Sequence, residues 1–317
     1  MRFAFDSIIF FILFFSAYWM YNIIRSFFHD QEKQIKTKLV RICLLVFLCL
    51  CFLIVFWGSF IEPKIITVIN VPINLDQTSK KENLKIALIA DLHVGAYKKN
   101  FFVQRVVNKT IAENPDLVLL DGDYILGKGE NARFLAPLKE LAAKYPTFAV
   151  TGNHEFNLAK ENRSKFQDRT ATLRVLFEEW GIKILDNESK TLHLQNSIIN
   201  LVGLPDIWTG KADLITAARN IDPRQPTILL CHNPDIILDK NAENFDLVLS
   251  GHTHAGQIRL PWIGAVPSLP TELGKKFTQG LFKLKNGYLY ITAGLGETGP
   301  RARLMSPPEL SIINLDL

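Results

Sequence analysis

The chain is poor in cysteine, with four in 317 residues, and three of these (Cys43, Cys49, Cys51) fall inside one apolar run. Only Cys231 remains for the rest of the chain, so no disulfide framework braces it, and cysteine usage leaves the redox compartment open. Charge excess is also lacking. The total is +5, and residues 1–61 hold +3 of it with six Lys/Arg and three Asp/Glu, leaving the remainder at +2. A nearly neutral body without a basic stripe excludes the electrostatic footprint of a nucleic-acid binder. There is no internal repeat, which leaves no sign of a solenoid, and no low-complexity tract.

Long apolar runs are present. Ser7 to Ile24 and Ile42 to Ile61 contain no charged residue. Each suffices for a bilayer-spanning helix, which needs roughly 20 residues. Tyr18, Trp19, Tyr21 and Trp57 stand near the ends, where aromatic side chains favour the membrane interface. A cleaved signal peptide is the rival for the first run, but the run is too long and no small-x-small cleavage site follows it. The basic loop between the runs (Arg25, Lys33, Lys36, Lys38, Arg41) belongs in the cytoplasm by the positive-inside rule. The expected organisation is a transmembrane helical hairpin over residues 1–61, with spans at about 7–24 and 42–61, and a second domain over 62–317. That topology expects a multi-pass inner-membrane protein whose second domain lies on the outer, periplasmic side.

Beyond Glu62-Pro63 a strand over Ile65 to Ile73 and a polar loop over Asp76 to Asn83 precede a βα rhythm. Lys85 to Ala90, Asp116 to Leu120, Thr147 to Val150, Thr227 to Leu230 and Asp246 to Leu249 are short apolar runs that read as buried strands. Helices are predicted over Phe101 to Glu113, Asn131 to Lys144, Leu158 to Trp180 and Ala212 to Arg219. Short strands follow at 182–185, 191–194 and 198–201, and Asn286-Gly287 marks a hairpin between 281–285 and 288–292. The pattern is an α/β domain with a parallel first half and strand pairs later. The Pro- and Gly-rich stretch 258–277 reads either as a packed surface loop or as a lip that touches lipid or covers a site.

Five of these strands leave into loops that carry metal-type ligands. They are Asp91 and His93, Asp123, Asn153 and His154, His232, and His252 with His254. Five of the seven histidines sit at these exits, and only His29 and His193 lie elsewhere. Ligands collect at the carboxyl ends of strands in α/β sheets, so these loops can converge. After the last strand, Gly251 is expected to free the backbone for the turn. His252 and His254, two apart in extended chain, would share one face about 6–7 Å apart, a spacing that suits two metal ions. Imidazole, carboxylate and amide donors together suit Mn, Fe or Zn better than Ca. A water between two such ions loses a proton near neutral pH and becomes an in-line nucleophile.

The set Asp91-x-His93, Gly122-Asp123, Gly152-Asn153-His154-Glu155, His232 and Gly251-His252-x-His254 resembles the calcineurin-like metallophosphoesterases over about residues 84–295. His232-Asn233-Pro234-Asp235 and Gly251 to Gln257 are similar in particular to the membrane-tethered bacterial branch. The resemblance implies an αββα sandwich of two mixed sheets with a dinuclear metal site at their edge. Asp91, His93 and His254 would hold one ion, Asn153, His232 and His252 the other, and Asp123 would bridge them. His154 would be the catalytic residue, a general acid or a stabiliser of phosphoryl charge, with Glu155 orienting it. The pattern departs at Leu126, where many members carry a second aspartate, and at the missing Arg-Gly of the protein phosphatases. That tilts the expectation toward a diester or pyrophosphate bond. Arg301 and Arg303 are either phosphate contacts or solvated surface groups.

The function expected is a dinuclear-metal phosphodiesterase that uses a metal-bridging hydroxide on a membrane-associated, phosphorylated and lipid-like substrate. One alternative is hydrolysis of the pyrophosphate of UDP-2,3-diacylglucosamine in lipid A synthesis, whose cytoplasmic substrate conflicts with the topology above. The other is a non-catalytic membrane scaffold on the same fold, which would have no need of an intact ligand set.

Overall fold

A computed structural model of the chain describes residues 2–29, 34–75, 83–127, 129–158, 168–194 and 197–317. Two helices open it, α1 (Arg2–His29) and α2 (Ile35–Phe56). Both are long and apolar enough to cross a membrane, and most of their side chains are exposed. A wider, π-helical turn (Trp57–Ile61) and a short 3-10 segment (Glu62–Lys64) then lead into the domain. The start of α1 and the end of α2 meet the domain on the same side. Tyr97 donates to Asp6 at 2.7 Å, Arg303 N donates to the Gly58 carbonyl at 2.8 Å, and Glu62 accepts from Trp57 and from Ser306 N.

Two six-stranded sheets make the body. In chain order the strands are β1 (Thr67–Asn74), β2 (Asn83–Ala90), β3 (Leu117–Asp121), β4 (Thr147–Val150), β5 (Lys183–Ile184), β6 (Glu188–Leu194) and β7 (Ser197–Gly203). They continue with β8 (Thr227–Leu230), β9 (Leu247–Ser250), β10 (Arg259–Leu260), β11 (Gly264–Ala265), β12 (Gly280–Lys283), β13 (Tyr288–Ile291) and β14 (Glu309–Asp316). The first sheet runs β1-β14-β2-β3-β4-β5 and the second β12-β13-β9-β8-β7-β6. Both are mixed. In the first, β14 lies antiparallel to β2, and in the second, β6 and β12 lie antiparallel to their neighbours.

Burial explains the layering. Inward residues of the first sheet such as Leu84, Ile86 and Leu88 meet Leu201, Ile228 and Leu249 from the other sheet and form the central core. The opposite face of the first sheet (Ala87, Ile89, Val118) packs on α3 (Asn100–Glu113), whose Val103, Val106 and Val107 recur at helical spacing. The outer face of the second sheet (Val202, Leu229, Val248) carries its own smaller apolar layer. A strand buried on both faces reads as a continuous apolar run rather than an alternating one, as in Leu117 to Leu120 and Leu247 to Leu249. The result is the expected αββα sandwich of two mixed sheets.

Three predicted helices come out shorter. Over 131–144 the chain forms a 3-10 stretch (Gly129–Leu138) and one α-turn, α4 (Lys139–Ala142), with Pro137 inside the former. Proline lacks the N–H that a continuous α-helix requires there. In the stretch 158–180 the helix is α5 (Thr170–Glu179). Asn157 turns the chain through a left-handed residue, and 159–167 lie outside the described residues. The last, α6 (Leu214–Ala217), is a single capped turn in place of 212–219. Most of the predicted loop at 76–83 also lies outside the described residues.

Candidate metal centre

Parallel pairing in register aligns the ends of β2, β3 and β4, with Ala90 beside Asp121 and Asp121 beside Val150. The ends of β8 and β9 align in the same way across the sandwich, with Leu230 beside Leu249. All five ligand-bearing loops therefore open on one rim, and the structure brings all eight predicted site residues together there. Seven of them are buried, and His154 is the most open, with a quarter of its side chain exposed.

The backbone at these exits is strained. Asp91, His93, Asp123, His252 and His254 all adopt positive φ, between 46° and 68°. Non-glycine residues held there cluster at functional sites, because the surrounding structure must over-determine them. This corrects the expected geometry of the last motif. His252 and His254 are not an extended pair. They flank Thr253 in a tight turn, with Thr253 N donating to the Gly251 carbonyl at 2.8 Å. Gly251 serves a different purpose from the one expected. Its φ is not left-handed, and a Cβ on it would stand 2.5 Å from an Asp91 carboxylate oxygen. Gly122 is needed on both counts, with φ +69° and only 2.9 Å between an added Cβ and the His232 ring.

Two ligand groups form around Asp123. Asp91, His93, Asp123 and His254 present donor atoms within 4.8 Å of one another, and so do Asp123, His232 and His252. Asn153 joins the second group, its Oδ1 lying 3.0 Å from His252 Nδ1. Asp123 Oδ2 lies 3.1 Å from His232 Nε2 and 3.5 Å from His93 Nε2. In the first group, His254 Nε2 is 3.1 Å from His93 Nε2 and 3.4 Å from Asp91 Oδ1.

Two imidazoles are oriented by a hydrogen bond that turns the other ring nitrogen into the site. His232 donates from Nδ1 to the Asp121 carbonyl at 2.7 Å, so Nε2 faces the site; without a cation Asp123 and Asp91 outweigh burial and hold this imidazole protonated, and an ion would take the place of that proton. His252 donates from Nε2 to the Pro270 carbonyl at 2.9 Å, which leaves Nδ1 facing Asn153. His232 Nε2 and Asp91 Oδ1 are buried without a hydrogen-bond partner among the described residues. Orphaned buried polar atoms of this kind cost free energy, and a cation that displaced the His232 proton would satisfy both, so the donor set fits divalent ions.

The electrostatics separate His232 from the other three ligand imidazoles. Burial, opposed by His232, lifts the Asp91 carboxyl to about 7. Burial also acts on Asp123, but the His232 and His154 charges outweigh it and hold that carboxylate well below its ordinary range. Burial and the His232 charge lower His252 to about 3, and burial drives His93 and His254 well below the usual histidine value. Three imidazoles are thus kept neutral, the form that ligates metals.

Glu155 does not orient His154. Its carboxylate accepts the backbone N–H groups of Asp123 (2.9 Å), Tyr124 (2.9 Å), Gly152 (2.9 Å) and Ile125 (3.2 Å), which ties two ligand loops together. His154 is fixed instead by its own N–H on Asp123 Oδ1 at 2.8 Å and by an edge contact with the His93 ring at 4.6 Å. Leu126, at the place of the missing aspartate, donates its N–H to Val94. Arg303 is neither a phosphate contact nor solvated. It is fully buried and donates to the carbonyls of Ala293, Gly294, Gly296 and Ser306. Arg301 lies outside the site, stacked on Phe60 and Tyr97.

A cavity of about 470 Å³ opens onto Asp123, Asn153, His154, His252 and His254. Trp208, missed by reasoning from sequence, forms part of its wall and sets its indole edge-on to His252 at 4.7 Å. The signal was available: Trp208 stands in the exit loop of β7, a sixth strand end on the same rim. Within the stretch 258–277, Ser268 to Pro270 line the cavity, whereas β10 and β11 form a small hairpin with Trp262 fully exposed at its tip.

A family profile described as calcineurin-like phosphoesterase matches residues 84–256, more than half of the chain. The chain belongs to the calcineurin-like phosphoesterase family. An uncharacterized metallophosphoesterase of Helicobacter pylori is 35% identical over 326 residues, covering 98% of this chain and 80% of that one. Phosphodiesterase YaeI of Escherichia coli is 33% identical over 236 residues, 73% of this chain and 82% of the relative. UDP-2,3-diacylglucosamine pyrophosphatase LpxG of Chlamydia muridarum is 27% identical over 304 residues, 81% of this chain and 91% of the relative. As a calcineurin-like phosphoesterase the chain is a phosphoester hydrolase of a family that works with two divalent ions. Its apolar N-terminal helices fit a membrane-tethered form.

Proposed function

We propose that this calcineurin-like phosphoesterase is a membrane-anchored phosphodiesterase acting on a phosphorylated, lipid-like substrate. The observation that carries the reading is the pair of ligand groups sharing Asp123. Asp91, His93 and His254 would hold one ion, and Asn153, His232 and His252 the other, with Asp123 between them. The ions, drawn from Mn, Fe or Zn, would supply Lewis acidity and a deprotonated water as nucleophile.

The chain's own residues do the rest. His154, open to the cavity and hydrogen-bonded through its backbone to Asp123, stands where it can donate a proton or a hydrogen bond to the leaving oxygen. Trp208 and Pro270 hold His252 in its ring orientation. Among the described residues, no Lys or Arg lines the cavity. A monoester dianion would want such a clamp, whereas a diester carries one charge less and does without it.

Two features support a lipid substrate. A second hollow of about 160 Å³ shares Leu269, Pro270 and Thr298 with the first and is lined further on by Ile258, Pro267 and Pro300. That apolar extension runs toward the Trp262 hairpin, whose base bonds to Leu304, next to the Arg303 that meets Gly58 at the end of α2. A tail leaving the cavity along it would head for the membrane. The two apolar helices cross the inner membrane as a hairpin in this reading, with the catalytic domain on the periplasmic side.

Similarity to LpxG favours one second reading, hydrolysis of a UDP-diacylglucosamine pyrophosphate. Purified protein with added Mn²⁺ should hydrolyse bis-p-nitrophenyl phosphate, and Asp123→Ala should abolish turnover. Absence of turnover by the wild type with Mn²⁺, Fe²⁺ and Zn²⁺ alike would sink the proposal. Faster turnover of UDP-2,3-diacylglucosamine than of a phospholipid diester would favour the second reading.

A further inference from the structure

Outside the metal centre, positive charge gathers where the helices meet the domain. A cavity of about 380 Å³ there is bounded by Ser59 and Pro63, just beyond the end of α2, and by Lys99 and Phe101 at the start of α3. Lys64, Lys98, Lys99, Arg105 and Arg301 face it against one carboxylate, Glu297. Glu297 is already engaged, 3.1 Å from Lys98, which also donates to the Pro63 carbonyl. The other four cations have no carboxylate in ion-pair range among the described residues. The amino end of the 14-residue α3 adds its dipole to the same point.

Arg301 shows how the site is built. Its guanidinium lies 4.6 Å from the Phe60 ring centre and 5.0 Å from that of Tyr97, and Tyr97 is itself held by Asp6 of α1. Two rings therefore turn their faces to the cation. Its N–H groups have no protein acceptor among the described residues. Phe101, strongly exposed, stands on the rim. A fixed, unpaired arginine beside exposed aromatic surface at the end of a membrane-length helix matches one kind of ligand. That ligand has a phosphate at one end and acyl chains at the other.

We infer that this cleft binds the phosphate headgroup of an anionic phospholipid, which seats the domain on the membrane surface. The inference rests on the membrane-anchored reading above and is separate from the metal chemistry. Basic pockets beside membrane helices hold such headgroups with roughly 1 kcal/mol, or about fivefold in affinity, per Lys or Arg.

The test uses full-length protein in nanodiscs of equal phosphatidylglycerol and phosphatidylcholine, with native mass spectrometry of the lipid retained on release. Wild type should keep phosphatidylglycerol in preference to phosphatidylcholine. Arg301→Gln with Lys64→Gln should lower that retention roughly 25-fold, and Arg301→Lys should restore most of it with Lys64 intact. A thermal melt within a few degrees of wild type, compared with Lys64→Gln alone, guards against misfolding. Equal retention of both lipids, or wild-type retention by the double variant, would overturn the site. Displacement of the lipid by millimolar inorganic phosphate would mark a soluble-anion site and overturn the lipid assignment. Release of wild type from membranes by alkaline wash would instead overturn the membrane reading, and the lipid site with it.

Discussion

Replacing Asp91 by asparagine should make the metal-free protein more stable near pH 8 and the metal-loaded protein less so. Asp91 is fully buried, one carboxylate oxygen has no hydrogen-bond partner among the described residues, and burial lifts its pKa from 3.8 to about 7. A folded-state pKa raised above the unfolded one gives stability that is whole below about pH 4 and is lost as pH rises through about 7. That interval corresponds to roughly 4 kcal/mol at most, at about 1.4 kcal/mol per decade. Coupling to His232 and Asp123 reduces what is realised, so a gain of about 1–3 kcal/mol is expected for the variant near pH 8. The gap should close near pH 4, where both side chains are neutral. Asparagine also tolerates the φ of 55° at this position, so the backbone adds little cost. Chelator-treated protein in detergent, unfolded by denaturant at a series of pH values, measures the gap. Adding Mn²⁺ should invert the order, because only the carboxylate can serve as an anionic ligand. A metal-free variant that is less stable than wild type at every pH would refute the account of Asp91 as a buried charge waiting for a cation.

Two further outcomes follow from the same geometry. His154→Ala should lower kcat for a diester by about 10²–10⁴ while leaving metal content unchanged, checked by turnover and metal analysis on one preparation. Arg303→Gln should cost on the order of 2–4 kcal/mol in denaturant unfolding, since it strips donors from buried carbonyls. A change confined to KM without loss of stability would restore Arg303 as a substrate contact.

The sandwich and its rim were legible because the buried strands are short apolar runs and five of them end in metal-type side chains. Leu117 to Asp123 shows both signals within seven residues. What the sequence hid depends on contacts far along the chain. Pro137 gave local warning that 131–144 would not stay helical. Nothing near Asn153 or His232 reveals that Glu155 would bind four backbone N–H groups, or that the Asp121 and Pro270 carbonyls would orient two imidazoles. Gly251 illustrates the difference. Its neighbours suggested a turn, whereas its real constraint is the Asp91 carboxylate, 160 residues earlier, lying where a Cβ would go. Arg303 was misread for the same reason, since its burial is a property of the assembled fold.

The central claim is that two ions share Asp123, with His252 and His254 serving different ones. Anomalous diffraction from Mn²⁺-soaked crystals tests it directly. Two peaks are predicted, one bounded by Asp91, His93 and His254 and the other by Asn153, His232 and His252, with the Asp123 carboxylate between them. A single peak, or one ion bound by both His252 and His254, would contradict the account.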